Sequence, residues 1–329
     1  MIQYSNFDRV MEARDHLKNG ASSKSHMSRR NFLEILTKPV VMAFVFSVFA
    51  LTGCSKDEAF NNDDAGGLWL KMGDNSVVST SDIDFYDVST HMIYLKKELP
   101  YLDKVFYGGT MSVYVDDVKI YDCSFHPLNV GSLPVGAYIS NPHLHEKDII
   151  RISFQPYSDI EDQRSDERII SALKKHHQYH AGLHCKIQSV QVLNGKVVLN
   201  FELSNPDTFD YYYLDPDKMG VGLFSYFTNG PTFLDDPPTK FFYHQETVVR
   251  PEPWNSWKKE WLTLIKSSER KNISITYNQF EFMSTGKYRM WFNFPGLNYG
   301  ISQKDLVLED GRIWLGSIRD EIDVTMAHQ

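Results

Sequence analysis

The sequence KIQSVQVLNGKVVLNFEL, residues 186–203, contains the clearest strand pattern in the chain. Its central pair Asn194-Gly195 suits a type I′ turn, because both central residues of that turn need a positive φ. After the turn Val197, Leu199 and Phe201 stand at every second position, which is the period of a strand with one buried face. These residues predict a β-hairpin with its turn at that pair.

Short apolar stretches separated by turn residues continue from this hairpin to the C terminus. Glycine, proline, asparagine and aspartate recur between the stretches, as they do at the turns of all-β proteins. Seven or more short strands with this spacing predict a β-sandwich for residues 184–329. The further predicted strands cover residues 221–227, 240–249, 262–265, 273–277, 288–294 and 312–318.

Residues 285–292, TGKYRMWF, resemble the late strand of an immunoglobulin-like domain. In that family a Gly-x-Tyr step often places a tyrosine at the corner of the sandwich, and the resemblance gives this structural role to Tyr288. Antibody domains have a pair of core cysteines, but residues 184–329 contain only Cys185. Antibody-type packing is therefore not implied. The resemblance concerns the fold and implies no activity.

The preceding residues, 68–183, predict an α+β domain with one amphipathic helix. Ser165 is a predicted N-cap, Ile169 and Leu173 follow at helical spacing, and Gly182 is the predicted helix stop. A mainly β protein with a single helix laid on a sheet is therefore expected. The strands predicted before the helix lie near residues 83–95, 111–121 and 148–154.

The N-terminal residues, 1–53, have the parts of a bacterial export signal. Arg29 and Arg30 precede an apolar stretch of about 12 residues, whereas a membrane-spanning helix needs roughly 20. The stretch ends in Leu-Thr-Gly-Cys54, which resembles the lipobox of bacterial lipoproteins, whose cysteine is diacylated and becomes the mature N terminus. The alternative is a buried helix that ends in Gly-Cys. Residues 1–26 precede a better start at Met27 and are set aside from the fold.

Two details of export stay open on the sequence. The paired arginines fit either the twin-arginine route or the general secretory route. Residues 54–67 are polar and predict a flexible tether. Within the tether Lys56-Asp57-Glu58 resembles the surface-export signal of Bacteroidetes lipoproteins, with an ordinary solvated linker as the alternative.

The whole arrangement resembles the Bacteroidetes-type surface lipoproteins that have a C-terminal immunoglobulin-like domain, many of them of unknown function. The resemblance implies an outer-membrane protein attached through a diacylglycerol anchor, facing the periplasm or the outside.

The charge of the chain restricts its partners. The chain has 34 Lys and Arg against 42 Asp and Glu, a net charge of -8. Seven of the basic and four of the acidic residues precede Cys54, so the exported part carries 27 against 38, or -11. Phosphate backbones repel such a body, which disfavours nucleic acid as a partner. An anionic membrane surface would not hold it without a covalent anchor.

Two histidines are the candidate metal ligands. His176 and His180 are four residues apart, and if the helix continued to Gly182 they would share a face and could hold a zinc ion. His143 or His145 would supply a third ligand. The alternative is a solvated helix end at which the histidines offset the carbonyl dipole, with no cofactor bound.

Cys123 and Cys185 are the other two cysteines besides Cys54. In an oxidising compartment they could form a disulfide. The alternative is two separate, buried small side chains.

Three tryptophans are the candidate ligand contacts. Trp254, Trp257 and Trp261 are spaced by three and four residues, so on an exposed helical turn they would form one aromatic face able to stack on sugar rings. On a buried turn they would be part of the core.

The sequence contains no recognised catalytic motif. A Gly-x-Ser-x-Gly elbow, a His-Glu-x-x-His helix, a phosphate-binding glycine loop and a Cys-x-x-Cys pair are all absent. A non-enzymatic binding or interaction module of the cell envelope, with a glycan or protein partner, is the first hypothesis. An envelope hydrolase built from scattered carboxylates or from a histidine-bound metal is the second, and a structural or assembly subunit is the third.

Overall fold

A computed structural model describes residues 66–99, 109–127, 134–141, 145–156, 160–193, 195–253, 256–297 and 301–326. The signal segment, Cys54, tether residues 54–65, Asn194 and Trp254 lie outside the described residues. The described residues belong to one compact unit. The boundary predicted between residues 183 and 184 stays a prediction.

The predicted hairpin is present and forms one side of a packed pair of sheets. Three antiparallel strands make the hairpin sheet, in the order β11-β12-β17. Val197, Leu199, Phe201 and Leu203 are fully buried, as their alternation predicts. The strands are β11 His184–Leu193, β12 Lys196–Ser204 and β17 Arg270–Tyr277.

A four-stranded antiparallel sheet, here called the outer sheet, packs against the hairpin sheet. Its order is β15-β14-β18-β21. Phe292 and Phe294 of β18 lie 5.3 and 5.6 Å, between ring centroids, from Phe201 of β12. Apolar burial between the sheets is therefore continuous. The strands are β14 Thr232–Asp236, β15 Phe241–Phe242, β18 Gly286–Pro295 and β21 Ser317–Met326.

The other strands of the C-terminal region form a third sheet of mixed direction, in the order β16-β13-β20-β19. Two sheets alone therefore do not account for the described residues between 184 and 326, and the two-sheet immunoglobulin-like sandwich predicted for this region is not the arrangement observed. The strands are β13 Tyr211–Leu214, β16 Leu262–Ile265, β19 Val307–Leu308 and β20 Gly311–Ile313.

One predicted strand of this region is wrong. Residues 221–227 lie in a helix, Val221–Thr228, which ends at Asn229 with φ 62. Phe224 and Thr228, one helical turn apart, are buried together. A short apolar run does not by itself distinguish a strand from a buried helix. This helix is α3, and the short helix before it, Pro216–Met219, is α2.

Two other predicted strands have different bounds. In residues 240–249 only β15 is extended, and in residues 312–318 the chain leaves β20 at Trp314 and enters β21 at Ser317. Gly316, with φ 95, sits at that change of sheet.

The N-terminal part contains two sheets. A six-stranded sheet has the order β2-β1-β5-β6-β7-β9, and a four-stranded sheet, the shared sheet, has the order β10-β3-β4-β8. The first consists of β1 Leu68–Met72, β2 Val77–Val78, β5 Thr110–Val115, β6 Val118–Pro127, β7 Gly136–Asn141 and β9 Ser153–Gln155. The second consists of β3 Ile83–Asp87, β4 Met92–Leu95, β8 Ile149–Arg151 and β10 Tyr179–His180.

The shared sheet is buried on both faces and joins two hydrophobic cores. In β4, Met92 and Tyr94 pack into the core of the C-terminal sheets, while Ile93 and Leu95 pack into the core of the six-stranded sheet. All four residues are at most 2% exposed. A strand with two buried faces reads as a continuous apolar run, which is the pattern of this segment.

The predicted amphipathic helix is present with different ends. It is α1, Glu167–Lys175, and it buries Ile169, Ala172 and Leu173. Its N-cap is Asp166, whose carboxylate accepts from the Arg168 amide at 2.9 Å, rather than Ser165. The helix stops seven residues before Gly182, because His177 takes a positive φ and the chain turns into β10.

The prediction of a mainly β protein is confirmed. Gly67, the last residue of the predicted tether, is buried, and its amide donates to the Asp116 carboxylate at 2.8 Å. None of the described helices is long and apolar enough to span a bilayer.

Candidate functional site

The outer sheet has one core-facing side and one side with exposed aromatic rings. Along β18 Tyr288, Met290 and Phe292 are buried, whereas Arg289 is exposed and Trp291 half-buried on the opposite face. This alternation follows from the two-residue period of a strand. The sequence therefore places Trp291 on the side away from the core.

Two rings join Trp291 on this side. Phe241 of β15 lies 5.8 Å from Trp291 at an interplanar angle of 81°, so the two rings meet at a right angle. Tyr243 lies 6.1 Å from Phe241. The Phe241 side chain is 45% exposed. We call these three rings, with Arg319, the aromatic face.

Arg319 of β21 supplies hydrogen-bond donors to the aromatic face. Its guanidinium carbon lies 4.8 Å from the centroid of the Trp291 ring, in cation–π contact. It also pairs with Glu321 at 3.1 Å, both side chains being about half exposed. An exposed pair of this kind contributes little to stability, about 0–1 kcal/mol, so these groups are free to exchange partners at low cost.

The aromatic face offers two kinds of contact to a ligand. Two perpendicular rings can contact an apolar surface on two adjacent sides. Arginine can donate hydrogen bonds to hydroxyl or carboxylate oxygens. Phe282, in the loop that follows Glu281, is 80% exposed. The Glu281 amide donates to the Tyr243 carbonyl at 3.2 Å, which places this loop beside the aromatic face.

A second concentration of functional groups is buried where the shared sheet meets the third sheet. Asp207 accepts from the amide of Gly182 at 2.8 Å and lies 2.7 Å from His180 Nδ1. The Tyr211 hydroxyl also donates to it, at 3.2 Å. Asp87 accepts from the Ser89 amide at 2.9 Å and from its hydroxyl at 2.6 Å. We call Asp87, Ser89, His180 and Asp207 the polar cluster.

The two carboxyls of the polar cluster have different environments. Burial raises the pKa of Asp87 to about 6, and the negative charge of Asp207 adds to the increase. Burial also acts to raise the pKa of Asp207, but the hydrogen bonds from His180 and from the Gly182 amide bring it below its ordinary value. At neutral pH Asp207 is therefore the charged partner of His180.

The polar cluster is arranged to hold loops rather than to meet a substrate. Asp87 and Asp207 are 1% and 5% exposed, and the ring of His180 is stacked on Phe209 at 3.9 Å. Their polar atoms are bonded to backbone amides and to neighbouring hydroxyls. A buried network of this kind fixes a single conformation when its members are satisfied.

Sequence reasoning missed both sites. Asp87 and Asp207 are 120 positions apart and share no motif, so nothing local joins them. The one local signal was at Asn205, whose side chain accepts from the Asp207 amide at 3.0 Å in an Asx turn. Trp291 and Phe241 stood in two separate predicted strands, residues 288–294 and 240–249, and no local pattern showed that these strands come together.

The helical reasoning behind the candidate metal pair is wrong. His176 caps the end of α1, while His180 lies in β10 and is bonded to Asp207, so the two do not share a helix face. Within the part of the chain that the structure describes, no group of three or more His, Cys, Asp or Glu side chains could hold a metal ion. His143 lies outside that part.

Cys123 and Cys185 are free thiols, so the disulfide considered from the sequence is not formed. Cys123 is buried in the core of the six-stranded sheet, and Cys185 packs against the core of the C-terminal sheets. Burial raises the pKa of both thiols above the ordinary value, which disfavours the reactive thiolate.

The two described tryptophans of the predicted ligand surface lie against the core. Trp257 and Trp261 are half-buried and pack against the core, and only residues Lys259–Trp261 form a helical turn. The Trp261 ring contacts Phe227 at 6.4 Å. Both described tryptophans thus take part in packing, the alternative that the sequence left open.

Tyr288 makes the contact that a tyrosine corner makes. Its hydroxyl donates to the Ser284 carbonyl at 2.8 Å, four residues upstream, while its ring is 4% exposed.

Comparisons with protein-family models, with curated proteins and with solved structures find no match for this chain.

Proposed function

We propose that this protein is a lipid-anchored component of the bacterial cell envelope whose β-rich body binds glycan chains through the aromatic face. The observation that carries the proposal is the perpendicular pair Phe241 and Trp291 with Arg319 beside it, on the solvent side of a sheet. A mature protein of the Bacteroidetes lipoprotein type, attached to the outer membrane, is the setting that the lipobox supports.

The position of the fold relative to Cys54 supports the anchor. Thirteen peptide steps separate Cys54 from Gly67, the first residue held by the Asp116 carboxylate. An extended chain of that length spans roughly 45 Å. A tether of this reach lets the folded body stand clear of the lipid headgroups.

We further propose that the hairpin sheet and the outer sheet are the two halves of an immunoglobulin-like sandwich into which the third sheet is inserted. The orders β11-β12-β17 and β15-β14-β18-β21 give three and four antiparallel strands, and Tyr288 makes the corner contact at the start of β18. A propeller-like arrangement of small sheets is the alternative. Propeller blades pair strands that are consecutive in the chain, whereas β14, β18 and β21 are far apart in sequence.

A glycan fits the aromatic face better than a wholly polar or wholly apolar ligand. The ring carbons of a sugar present C–H groups that pack on aromatic faces, and its hydroxyls accept from arginine. Arg289 pairs loosely with Asp323 at 3.6 Å on the same side, which adds a second exposed guanidinium. The ligand class is therefore a polyhydroxylated chain rather than a fatty one.

Binding of purified envelope and host glycans on an array tests this function. The full-length lipoprotein, solubilised in detergent, should bind a subset of glycans, and Trp291→Ala or Phe241→Ala should weaken that binding at least about tenfold, about 1.4 kcal/mol. Trp257→Ala, which removes a half-buried tryptophan elsewhere, is the matched control and should bind within twofold of the parent.

Two outcomes would contradict the proposal. One is an array without any bound glycan, which would favour a protein partner or the assembly role. The other is binding that survives the double variant Phe241→Ala, Trp291→Ala while the fold is retained by circular dichroism. Hydrolysis of a bound glycan would favour the envelope hydrolase instead.

A further inference from the structure

Strands β6 and β7 are apart at their N-terminal ends and meet at their C-terminal ends. They pair in parallel only over Ser124–Pro127 of β6 and Tyr138–Asn141 of β7. The preceding part of β6 is paired with β5 on one side. On its other side, from Lys119 to Cys123, no strand of the described residues lies beside it.

Gly136 lies at the end of β7 where the two strands are apart. Its φ is +71, a value that side-chain-bearing residues rarely adopt, so the backbone departs from the extended path at the first residue of β7. On its other edge β7 pairs with β9 over Gly136–Tyr138. The N-terminal parts of β6 and β7 therefore leave a gap between them.

The gap is an open groove of about 460 Å³. Residues Lys119–Asp122 form one wall, and residues Val135–Ala137 form the other. Phe154 and Ile160 also line it. Phe154 is held in place by Arg164, whose guanidinium carbon lies 5.4 Å from the ring centroid and which is itself bonded to the Ile152 carbonyl at 2.8 Å. The volume lies within the range of ligand sites, about 300–1,000 Å³.

The wall formed by β6 is a backbone edge. Ile120 is the extra residue of a bulge, because Tyr114 pairs with Lys119 and Val113 with Tyr121, which leaves Ile120 without a partner in β5. Asp122 follows two residues later on the same strand. Amide and carbonyl groups at such an edge are matched most completely by another strand.

The rim of the groove is apolar. Val135 is 52% exposed and Ile160 is 46% exposed, although both are aliphatic. The charged residues that line the groove are Lys119 and Asp122, paired at 2.7 Å, and Glu161. The groove therefore combines an open strand edge, an aliphatic rim and a small excess of negative charge.

We propose that this groove binds a short extended peptide by strand addition to β6. The peptide would have aliphatic or β-branched side chains at alternate positions, to contact Val135 and Ile160. It would have basic flanks, to suit Glu161 and the net charge of -11 that residues 54–329 carry. Four residues, about 13 Å, match the wall that Lys119–Asp122 of β6 forms. This site is on the six-stranded sheet and does not depend on the aromatic face.

Fluorescence anisotropy with a defined probe tests the proposal. The probe is a labelled peptide of alternating threonine and valine between terminal lysines, titrated with the full-length lipoprotein in detergent. The double variant Val135→Asp, Ile160→Asp should weaken binding at least about tenfold. Val118→Asp is the matched control. Val118 is as exposed as Val135, at 52%, and lies on β6 but does not line the groove.

A second probe distinguishes strand addition from simple apolar contact. N-methylation of alternate peptide amides, on either edge of the probe, removes backbone donors but keeps the side chains, and methylation of one edge should abolish binding. Absence of binding by the parent probe up to millimolar concentration would overturn the proposal. Equal binding by the parent and by both methylated probes would overturn it as well.

Discussion

At the scale of single residues, burial changes the properties of several polar groups. Asp87 is the clearest case, because its folded pKa of about 6 lies above the ordinary value of 3.8. A raised carboxyl pKa means that the folded state binds the proton more tightly than the unfolded chain. The contribution of Asp87 to stability is therefore full below about pH 3.8 and is lost as the pH rises through 6.

Replacing this carboxyl with an amide should remove that pH dependence. We expect the stability of Asp87→Asn, relative to the parent, to be on the order of 1–3 kcal/mol more favourable at pH 7.5 than at pH 4.5. Urea unfolding at the two pH values measures the difference. Asp84→Asn, an exposed site on the same strand, is the control. A difference for Asp87→Asn that is the same at both pH values would show that its carboxyl is not perturbed.

The corner contact of Tyr288 gives a second prediction at this scale. Tyr288→Phe keeps the buried ring but leaves the Ser284 carbonyl without its donor, and we expect a loss of about 1 kcal/mol in the free energy of unfolding. Tyr114→Phe keeps the ring that stacks on Trp69 and should change stability by less than half of that. Equal effects of the two substitutions would argue against a structural role for the Tyr288 hydroxyl.

At the scale of elements, local patterns predicted strands well where one face is buried. The hairpin around Gly195 was predicted closely from the alternation of apolar and polar residues in β12. The strand Leu262–Ile265 was predicted with its observed bounds. Of strand β21 only Ser317 and Ile318 fell in a predicted strand, because Arg319, Asp320 and Glu321 hide the spacing of the less exposed Ile318 and Ile322. A strand at a sheet edge tolerates such charge on its solvent side, so the pattern is weak.

The candidate sites were less accessible to sequence reasoning than the strands. Both bring together residues that are far apart in sequence: the Phe241 ring of β15 meets Trp291 of β18 across β14, and the polar cluster joins Asp87 of β3 to Asp207, which precedes β13. Helix α1 shows the same limit: its start could be placed within one residue, but its end depends on His177, whose positive φ has no strong local signal.

Gly182 lies where the shared sheet and the third sheet pack closely together. It was expected to stop a helix, yet it lies between the two carboxyls of the polar cluster, where a Cβ would come within 2.1 Å of Ser89 Oγ and 2.3 Å of Asp87 Oδ1. Gly182→Ala should therefore cost at least about 3 kcal/mol, from overpacking and from the strained φ of +66 together. Thermal or urea unfolding measures the loss.

Gly220 provides the matched control for this substitution. Its φ is +76, but nothing lies within 4 Å of the position of a Cβ. Gly220→Ala should show the backbone cost alone, about 1–2 kcal/mol. Equal costs at the two glycines would mean that the packing of the polar cluster around Gly182 is looser than described.

At the scale of the whole molecule, the shared sheet links both cores. Phe85 packs into the core of the C-terminal sheets, while its neighbour Tyr86 packs into the other core. Phe85→Ala should cost about 3–5 kcal/mol. Because one sheet serves both cores, hydrogen exchange of core amides at Leu70 and at Leu199 should accelerate by the same factor. Faster exchange at Leu199 alone would show two independently unfolding domains, as the predicted boundary at residue 183 would require.

The function proposed for the molecule also depends on where it is held. Lipid on Cys54 would fix an acidic body, which an anionic surface repels, beside the envelope that carries its proposed glycan ligands. Two acyl chains give stable attachment, whereas one gives only marginal binding.

Mass spectrometry of the mature protein, together with fractionation of cells that produce the parent or Cys54→Ala, tests this most directly. We predict an N-terminal Cys54 that bears a diacylglyceryl thioether, sedimentation of the parent with membranes, and release of Cys54→Ala into the soluble fraction. An unmodified Cys54 inside an uncleaved chain, or membrane sedimentation of Cys54→Ala equal to that of the parent, would contradict the account.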